Sequence, residues 1–216
     1  MNRVVVDIST SLDGFVTGPN PGVRSGLGDG GAGLHAWALG DARTEADIDI
    51  LDRTLRETGA VLMGRRTFDV VDGPEGWDES VGYGADRGGT AEPEQPPVIV
   101  VTSSPPATVR LAALFTFVTD GIDSALRRAR EAAGDRDVVI MGGADLARQY
   151  LAAGHVDELR LHLAPLLLGD GTPLFERSPA LAATGPIALE QSGAVVTAAA
   201  THLTYRVLGA SAPGPR

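Results

Sequence analysis

The sequence predicts an α/β protein with a mixed, mostly parallel central sheet, helices on both faces and an antiparallel hairpin at its C-terminal end. Short β-branched runs alternate with helical patterns along most of the chain, as in βαβ units. The last two strand patterns have no helix between them, so they are expected to pair antiparallel. No break in composition divides the 216 residues. One domain is therefore predicted over residues 1–208, followed by a disordered tail over 209–216.

The individual elements follow from apolar runs and from helix-capping signals. Strands are predicted at residues 4–11, 60–63, 97–102, 115–118, 138–141, 156–168, 187–191 and 195–208, the last two turning at Ser192 and Gly193. Helices are predicted at residues 41–58, 123–133 and 144–153, each closed by the glycine that follows it. The glycine- and proline-rich segments 18–33 and 73–97 are predicted to be long loops.

Composition excludes several kinds of chemistry. All 18 basic residues are arginine and there is no cysteine, so Schiff-base, P-loop, thiolate and cysteine-ligated metal sites are excluded. The net charge of −10 disfavours nucleic acid, because phosphate backbones need a basic surface. The apolar run at the N-terminus is too short for a signal peptide, and no stretch is long enough to span a membrane, so a cytoplasmic protein is expected. His155, His162 and His202 lack metal-ligand spacing, and no metal is expected.

Two glycine motifs have different value as evidence. Residues 28–33 satisfy G-x-G-x-x-G by letter, but they lie inside a loop rather than between a strand and a helix, so a dinucleotide fingerprint is rejected. Gly142 and Gly143 directly follow a predicted strand and open a predicted helix. There a phosphate could approach the backbone closely and meet the helix N-terminus. A tight strand-to-helix turn also uses glycine for its conformation alone, and both interpretations stay open.

Two further strand ends carry side chains that suit phosphate. Gly64 is followed by Arg65 and Arg66, whose guanidinium groups match phosphate oxygens, although a solvated arginine pair is the alternative. Hydroxyl groups follow the next strand, at Thr102, Ser103 and Ser104. Ligands of open α/β sheets bind outside the carboxyl ends of the strands. Three such strand ends together predict a nucleotide with more than one phosphate group.

The order of these motifs resembles the dihydrofolate reductase-like superfamily. The motifs are SLDGF at 11–15, VLMGRRTF at 61–68, VIVVTS at 98–103 and VIMGGA at 139–144. The segment LAPLLLGDGTPLF at 163–175 is typical of a nearer branch, the C-terminal reductase domain of the bifunctional riboflavin-biosynthesis deaminase/reductase and its stand-alone relatives. The resemblance covers residues 3–208. It implies a dihydrofolate reductase-like three-layer fold and NADPH as the cofactor.

The resemblance also implies where each part of NADPH lies. The adenosine 2′-phosphate is expected near Arg65 or Arg66 and residues 102–104. The pyrophosphate is expected at the glycine turn and the helix that follows it, close to the end of an adjacent strand, at Gly142, Gly143, Ala144, Asp145, Leu146, Gly64, Arg66 and Thr67. The nicotinamide is expected beside Ser9, Val16 and Thr17.

The substrate side is implied by the same resemblance, with alternatives. A carboxylate on the first helix is expected to orient and help protonate the substrate; counting back from Gly64 reaches Ile48, so Asp47 or Asp49 is expected there, unless the helix carboxylates are simply solvated. Asp13 is expected near the nicotinamide or as a turn cap. His35 and Trp37 are expected in the wall of the substrate pocket, where Trp37 stacks on a heterocycle or packs in the core.

The function implied is NADPH-dependent reduction of a small heterocyclic substrate, pterin- or pyrimidine-like, with hydride passing to a C=N or C=O bond. The alternative is a nucleotide- or flavin-binding protein without turnover. In either case the expected partner is a small molecule, and neither nucleic acid nor membrane is expected. Family members commonly form dimers, so a homodimer is expected, with residues 156–175 as the candidate surface.

Overall fold

A computed structural model describes residues 2–74, 76–77, 83, 95–176 and 178–210 of the chain. Ten strands are described: β1 Val4–Ser11, β2 Phe15–Thr17, β3 Thr58–Gly64, β4 Val98–Val101, β5 Phe115–Val118, β6 Asp137–Met141, β7 Glu158–Ala164, β8 Thr172–Pro173, β9 Ile187–Val196 and β10 Thr201–Ala210. The helices are α1 Ala36–Leu39, α2 Glu45–Glu57, α3 Arg65–Val71, α4 Ile122–Ala133, α5 Ala144–Ala152 and α6 Pro179–Thr184, and a 3-10 turn at Gly31–His35 precedes α1.

Eight of these strands form one sheet in the order β5-β4-β3-β6-β1-β7-β10-β9. The strands from β5 to β7 run parallel, whereas β10 pairs antiparallel with both β7 and β9. This confirms the predicted mixed, mostly parallel sheet with a C-terminal antiparallel hairpin. The order places β1 in the middle of the sheet, with β6 on one side and β7 on the other.

Apolar side chains cover both faces of the sheet, which gives three layers. On one face, Val4, Val6 and Ile8 of β1 pack with residues of α4 and α5 in the largest core cluster. On the other face, Phe68 of α3 belongs to a second cluster, and Trp37 to a third with residues of α2. Because successive strand residues point to opposite faces, Asp7 and Ser9 of β1 lie on the α2 side.

Three predicted boundaries were wrong, each for a local reason. The helix predicted from residue 41 begins at Glu45, because Thr44 caps it and forms a capping box with Asp47. The strand predicted over 156–168 ends at Ala164, ahead of Pro165, which cannot donate to a strand ladder. The final hairpin does not turn at Ser192 and Gly193.

The turn of the final hairpin lies at residues 197–200, where the backbone N–H of Thr197 donates to the carbonyl of Ala200 at 2.9 Å. Gly193 instead lies inside β9, paired with Thr204. Strand β10 continues through Ala210, and the remainder of the predicted tail, residues 211–216, lies outside the described residues. Polar and small residues in the middle of β9 thus gave a false turn signal, because this strand lies at the edge of the sheet and is largely exposed.

The segment after β7 packs back against the segment after β1. Leu12 donates its N–H to the carbonyl of Leu166, Leu174 donates to Gly14, and β2 pairs with β8. The buried guanidinium of Arg148 on α5 donates to the carbonyl of Pro173 at 3.0 Å and fixes the same segment from the other side. Strand β7 itself lies between β1 and β10, so its backbone is paired on both sides. Within the predicted dimer surface 156–175, the exposed large apolar side chains are Leu167 and Phe175.

The two predicted long loops differ in how far they are described. Residues 18–33 form a hydrogen-bonded loop that runs into the 3-10 turn, and Gly18 donates its N–H to the carbonyl of Leu27 at 2.8 Å. Its G-x-G-x-x-G letters therefore do not connect a strand to a helix. Most of the second loop, 73–97, lies outside the described residues. Within the described parts of the chain, no helix is both long and apolar enough to cross a membrane.

Candidate active site

Four neighbouring strands carry the predicted cofactor residues to one edge of the sheet. Strands β4, β3, β6 and β1 lie side by side and run parallel, so their carboxyl ends share that edge. Residues 102–104 follow β4, residues 64–67 join β3 to α3, and Gly142 and Gly143 join β6 to α5. The structure thus brings together the three strand ends that the sequence predicts for phosphate groups, with β1 next to them.

The glycine turn after β6 is packed closely against the start of α3. Gly142 and Gly143 have φ values of 63° and 81°, a left-handed region that other residues rarely adopt. A Cβ atom on Gly143 would lie 3.1 Å from Oγ1 of Thr67, and one on Gly142 would lie 3.4 Å from Cγ2 of Thr67. The turn therefore requires glycine for its conformation, and it also leaves the backbone uncovered at the N-terminus of α5, a location that suits an anion.

Arg65 lies beside the hydroxyl loop that follows β4. Its Nε donates to Oδ1 of Asp69 at 2.7 Å, and its Nη1 donates to the carbonyl of Ser104 at 2.6 Å. Ser103 and Ser104 are exposed, and Oγ1 of Thr102 accepts from the backbone N–H of Ser104 at 3.2 Å. A guanidinium held next to exposed hydroxyls has the chemistry that a phosphate monoester requires.

Arg66 is the next residue of α3 and is exposed, near the surface of the same edge. Ala144 and Leu146, by contrast, point their side chains into the core cluster beneath α5, so they could contact a cofactor through their backbone only. Asp145 is exposed and accepts a hydrogen bond from the amide of Gln149 at 2.8 Å. Thr67 is half-buried between the two strand ends.

The residues predicted beside the nicotinamide surround the exit of β1. Ser9 is buried, and its Oγ accepts a hydrogen bond from Nε1 of Trp37 at 2.9 Å. Val16 of β2 is buried in the core, and Oγ1 of Thr17 accepts from the backbone N–H of Thr172 at 3.1 Å. The hydroxyls of Ser9 and Thr17 therefore already have protein partners that fix their positions.

Asp13 lies after β1 and holds the loop that follows β7. Its carboxylate accepts hydrogen bonds from the backbone N–H groups of Leu168, at 3.1 Å, and Gly169, at 2.7 Å. Hydrogen bonding from Ser11 and from these two backbone groups lowers the pKa of Asp13 below its ordinary value. These contacts match the expected turn cap, and the side chain remains exposed towards the edge of the sheet.

The two candidate helix carboxylates have opposite environments. Asp49 is exposed on α2. Asp47 is 0% exposed and accepts four hydrogen bonds: from the backbone N–H and Oγ1 of Thr44, both at 2.7 Å, from Oγ1 of Thr197 at 2.9 Å, and from Nε2 of His202 at 2.8 Å. Burial alone would raise the pKa of Asp47, but these hydrogen bonds lower it below its ordinary value.

The contact with His202 continues through two more ionisable side chains. Nδ1 of His202 lies 2.7 Å from Nδ1 of His162, and Nε2 of His162 lies 2.9 Å from Oδ1 of Asp7. Both histidines are buried on adjacent strands, β7 and β10, where they pair directly. We call this chain of four residues, Asp7–His162–His202–Asp47, the buried relay.

Trp37 covers the buried relay on the α1 side. Its ring contacts the ring of His162, with centroids 4.0 Å apart and planes tilted by 33°, and it meets the edge of His202 at 4.9 Å. The indole is buried, so in this structure it packs against protein groups, and stacking on a substrate stays a prediction. His35 ends the 3-10 turn next to it, and burial together with the charge of His162 lowers the pKa of His35.

The sequence interpretation missed Asp7 and Thr197, and it considered His162 and His202 as possible metal ligands and gave them no functional role. One signal was present in the sequence. The polar residues Asp7 and Ser9 alternate with the apolar residues of β1, and His162 alternates with the leucines of β7. Alternation places such residues on one face of a sheet. What the sequence lacks is the register that sets His162 opposite His202 across two strands.

We expect the stability of the protein to fall as the pH drops below about 6.5. Burial lowers the pKa of His202 more than its hydrogen bond to Asp47 raises it, and the pKa of His35 is lowered as well. A histidine whose folded pKa is below the unfolded value of 6.5 contributes stability above that pH and loses it as the pH falls. Each such group contributes a slope of at most about 1.4 kcal/mol per pH unit.

Urea denaturation at pH values between 8 and 5 measures this dependence. The free energy of unfolding should decline as the pH falls below about 6.5. The variant His35→Gln should show a shallower decline, because one of the two depressed groups is gone. A free energy of unfolding that stays constant or rises from pH 7 to pH 5.5 contradicts the prediction.

The sheet order and the shared strand edge define an open α/β protein of the class that binds ligands at the carboxyl ends of its strands. The chain belongs to the family of the RibD C-terminal domain, whose model matches residues 2–203. It is 27% identical to the uncharacterized protein YyaP of Bacillus subtilis over 178 residues, and this match covers 80% of each of the two chains.

Solved structures agree on the fold. A putative riboflavin biosynthesis protein from Shewanella sp. PV-4 superposes with a TM-score of 0.63 at 21% identity, covering 96% of this chain and 99% of the other. Dihydrofolate reductase from Enterococcus faecalis, solved with NADP(H), superposes with a TM-score of 0.56 at 15% identity, covering 95% and 96%. The fold is therefore dihydrofolate reductase-like, as the resemblance implied.

Proposed function

We propose that the protein is an NADPH-dependent reductase that transfers hydride to a C=N or C=O bond of a small heterocyclic substrate. The observation that carries the proposal is the row of four adjacent parallel strand ends, in a RibD C-terminal domain family member, whose groups suit a dinucleotide with an extra phosphate. The nicotinamide supplies the hydride chemistry, and the protein supplies binding and orientation.

NADPH fits the groups that line this edge. Arg65 and the exposed hydroxyls of Ser103 and Ser104 would hold the 2′-phosphate. The left-handed backbone at Gly142 and Gly143 leaves room at the N-terminus of α5, with Thr67 opposite, where the pyrophosphate would lie. Ser9, Val16 and Thr17 would then flank the nicotinamide at the exit of β1. In the structure of the Enterococcus faecalis enzyme, a dihydrofolate reductase holds NADP(H) on the same fold.

On the substrate side, the residues of this chain would orient the substrate and exclude water, and they would not donate a proton to it directly. Asp47 is enclosed by four donors, and Asp13 is engaged by a backbone turn. Of the described groups, His35 is the half-buried ionisable side chain next to Trp37. The substrate class that suits this edge is a flat heterocycle, pterin- or pyrimidine-like, placed between the nicotinamide and the 3-10 turn.

The enclosed Asp47 also favours a second candidate function, a nucleotide- or flavin-binding protein without turnover, because this candidate carboxylate is buried and already bonded to protein donors. Incubation of the protein with NADPH and a panel of pterins, pyrimidines and quinone-like compounds distinguishes the two. Consumption of NADPH that depends on one of these compounds supports the reductase. Saturable NADPH binding with no consumption by any of them supports the second candidate.

We expect the variant Arg65→Ala to lose NADPH affinity at least tenfold while NADH affinity changes little. NADH lacks the 2′-phosphate, so the loss of a guanidinium contact of about 1.4 kcal/mol or more affects only NADPH. Binding titrations of both dinucleotides measure this. Arg128→Ala, an exposed arginine on α4, is the matched control and should alter neither affinity. Equal losses of NADPH and NADH affinity in Arg65→Ala would refute the assignment.

We also propose that the protein is a homodimer. Strand β9 is an exposed edge of the sheet, and Leu189, Val195 and Val196 on it are exposed apolar residues. The unpaired N–H and C=O groups of an exposed edge strand can pair with another chain. Light scattering after size-exclusion chromatography should give twice the chain mass, and the mass of one chain would overturn the dimer.

A further inference from the structure

The buried relay contains three hydrogen bonds in series, and these determine how many protons it holds. The contacts join Oδ1 of Asp7 to Nε2 of His162, Nδ1 of His162 to Nδ1 of His202, and Nε2 of His202 to Oδ1 of Asp47, at 2.9, 2.7 and 2.8 Å. An ionised carboxylate only accepts, so both Nε2 atoms must carry hydrogen. The contact between the two Nδ1 atoms needs a third hydrogen.

Two neutral imidazoles carry only two of these hydrogens. The third makes one ring an imidazolium, so the four groups together have a charge of −1 rather than −2. If one carboxyl were protonated instead, its hydrogen would replace one on the adjacent Nε2, and the count of three would stay the same. The geometry therefore specifies one proton more than two carboxylates and two neutral histidines hold.

The two carboxylates at the ends of the buried relay favour keeping that proton, whereas burial lowers the pKa of His202. Burial alone would raise the pKa of Asp7, but the charge and hydrogen bond of His162, together with Arg160, lower it below its ordinary value, so the carboxylate stays ionised. The charged or titratable groups facing the two histidines are Asp7 on β1, Asp47 on α2, Arg160 on β7 and His35 at the 3-10 turn. Arg160 is itself paired with Glu57 and Glu158.

A proton, rather than a metal ion, fits between the two histidines. Two nitrogen ligands on one zinc ion each lie about 2.0–2.1 Å from the metal and therefore more than about 3 Å from one another in a tetrahedral site. The two Nδ1 atoms are 2.7 Å apart, which is a hydrogen-bond distance. Among the described residues, no group of three or more ligating side chains is arranged to hold a metal ion.

The buried relay connects the proposed nicotinamide position with a cleft on the opposite side. His162 pairs with Ser9 across β1 and β7, and Trp37 contacts both residues. On the other side, both histidines line a cleft of about 230 Å³ between α2 and the hairpin of β9 and β10, together with Arg160 and Glu57. A proton held in the buried relay thus lies one strand from the proposed reaction site, and solvent reaches it through the cleft.

We propose that the buried relay is a proton-binding site that supplies the proton of the reduction, an inference that rests on the proposed function. NADPH gives a hydride, and with it two electrons, to the carbon of the C=N or C=O bond, and becomes NADP⁺. The nitrogen or oxygen of that bond takes the proton, the buried relay falls from three protons to two, and solvent in the cleft restores the third. None of its four members contacts the substrate, so the proton would pass from His162 through the hydroxyl of Ser9, which lies across from it on β1. The four members of the buried relay are therefore positioning residues.

Nuclear magnetic resonance of the full chain labelled with ¹⁵N-histidine tests the proton count without any cofactor. At neutral pH, hydrogen should be found on three of the four ring nitrogens of His162 and His202, including one shared between the two Nδ1 atoms. His155, which is half-exposed on the surface, serves as the reference ring. Two hydrogens on these four nitrogens, with both carboxyl groups ionised, would overturn the proposal, whatever the protein binds.

The variant Asp7→Asn tests the role in reduction. The amide oxygen can still accept from His162, but the negative charge is gone, so the third proton should be lost at a pH lower by at least about one unit. The alkaline limb of the pH profile of NADPH oxidation should move by the same amount, with NADPH affinity unchanged. Asp135→Asn, at an exposed position in the turn after α4, is the control and should move neither.

A rate that falls by the same factor at every pH in Asp7→Asn would indicate a merely structural role and would overturn the proposal. The proposed function is tested separately, because it fails if the wild-type protein does not bind NADPH. In that case a count of three protons would still support the proton-binding site, whereas its role in reduction would fall with the function.

Discussion

Replacing Asp47 with alanine is expected to lower the free energy of unfolding by about 3–5 kcal/mol, the cost of removing one member of a buried, hydrogen-bonded charge pair. Three elements meet at this carboxylate. It completes the capping box of α2 with Thr44, accepts from Thr197 in the turn of the last hairpin, and accepts from His202 on β10. Its removal leaves these donors buried and without their partner, and it unlinks α2 from the hairpin.

Asp49→Ala is the matched control, because it removes the same group two residues further along the same helix. Asp49 is exposed, and surface substitutions of this kind usually change stability by no more than about 0.5 kcal/mol. Urea denaturation of both variants at pH 7 measures the difference. Similar losses in the two variants would contradict the placement of Asp47 at the junction of α2, the hairpin and the buried relay.

The second large effect is expected for Gly143→Ala, which should weaken NADPH binding at least tenfold. The backbone at Gly143 has a φ of 81°, and a Cβ atom there would lie 3.1 Å from Oγ1 of Thr67. The new methyl group would also stand in the space through which a pyrophosphate approaches the N-terminus of α5. The affinity is therefore expected to fall for two reasons: the glycine turn shifts, and the methyl group blocks the approach of the pyrophosphate.

Gly121→Ala separates strain from binding. Gly121 is the N-cap of α4 and has a φ of 97°, but a Cβ atom there would meet nothing within 4 Å. Both variants should lose stability, by about 1 kcal/mol for a residue forced into the left-handed region. Only Gly143→Ala should lose affinity for NADPH in a binding titration. A loss of the same size in Gly121→Ala, or none in Gly143→Ala, would contradict the phosphate site after β6.

The fold and the gathering of the four strand ends at one edge could be predicted because their signals are local. A buried strand such as β6 is a short β-branched run, and the glycines that follow it are adjacent in sequence. Since parallel strands share one edge for their carboxyl ends, chemistry placed directly after several strands is brought together by topology alone. The positions of Gly64, Arg65 and Gly142 relative to one another therefore follow from the fold class.

The buried relay could not be predicted in the same way. His162 and His202 are 40 residues apart in sequence, and they meet only through the register of β7 with β10. A shift of one residue in that register would turn one of the two side chains to the other face. The register depends on where the final hairpin turns, and the signal for that turn was misleading because Gly193 lies inside an exposed edge strand.

A similar competition between signals affected the start of the first long helix. Asp41 is a good N-cap residue by type, but Thr44 has Asp47 three residues after it, and the two side chains form reciprocal hydrogen bonds. The same pairing buries Asp47 and removes it from the edge where a substrate would lie. Asp47, one of the two helix carboxylates that the resemblance offers for the substrate, therefore serves the helix cap and the buried relay in this structure.

Titration of the wild-type protein with NADPH and, separately, with NADH tests the central claim most directly. A dinucleotide site built from Arg65, the hydroxyls of residues 102–104 and the glycine turn after β6 should bind NADPH saturably and at least tenfold more tightly than NADH, because only NADPH carries the 2′-phosphate. Absence of NADPH binding at millimolar concentration, or equal affinity for the two dinucleotides, would contradict the assignment of this edge as an NADPH site.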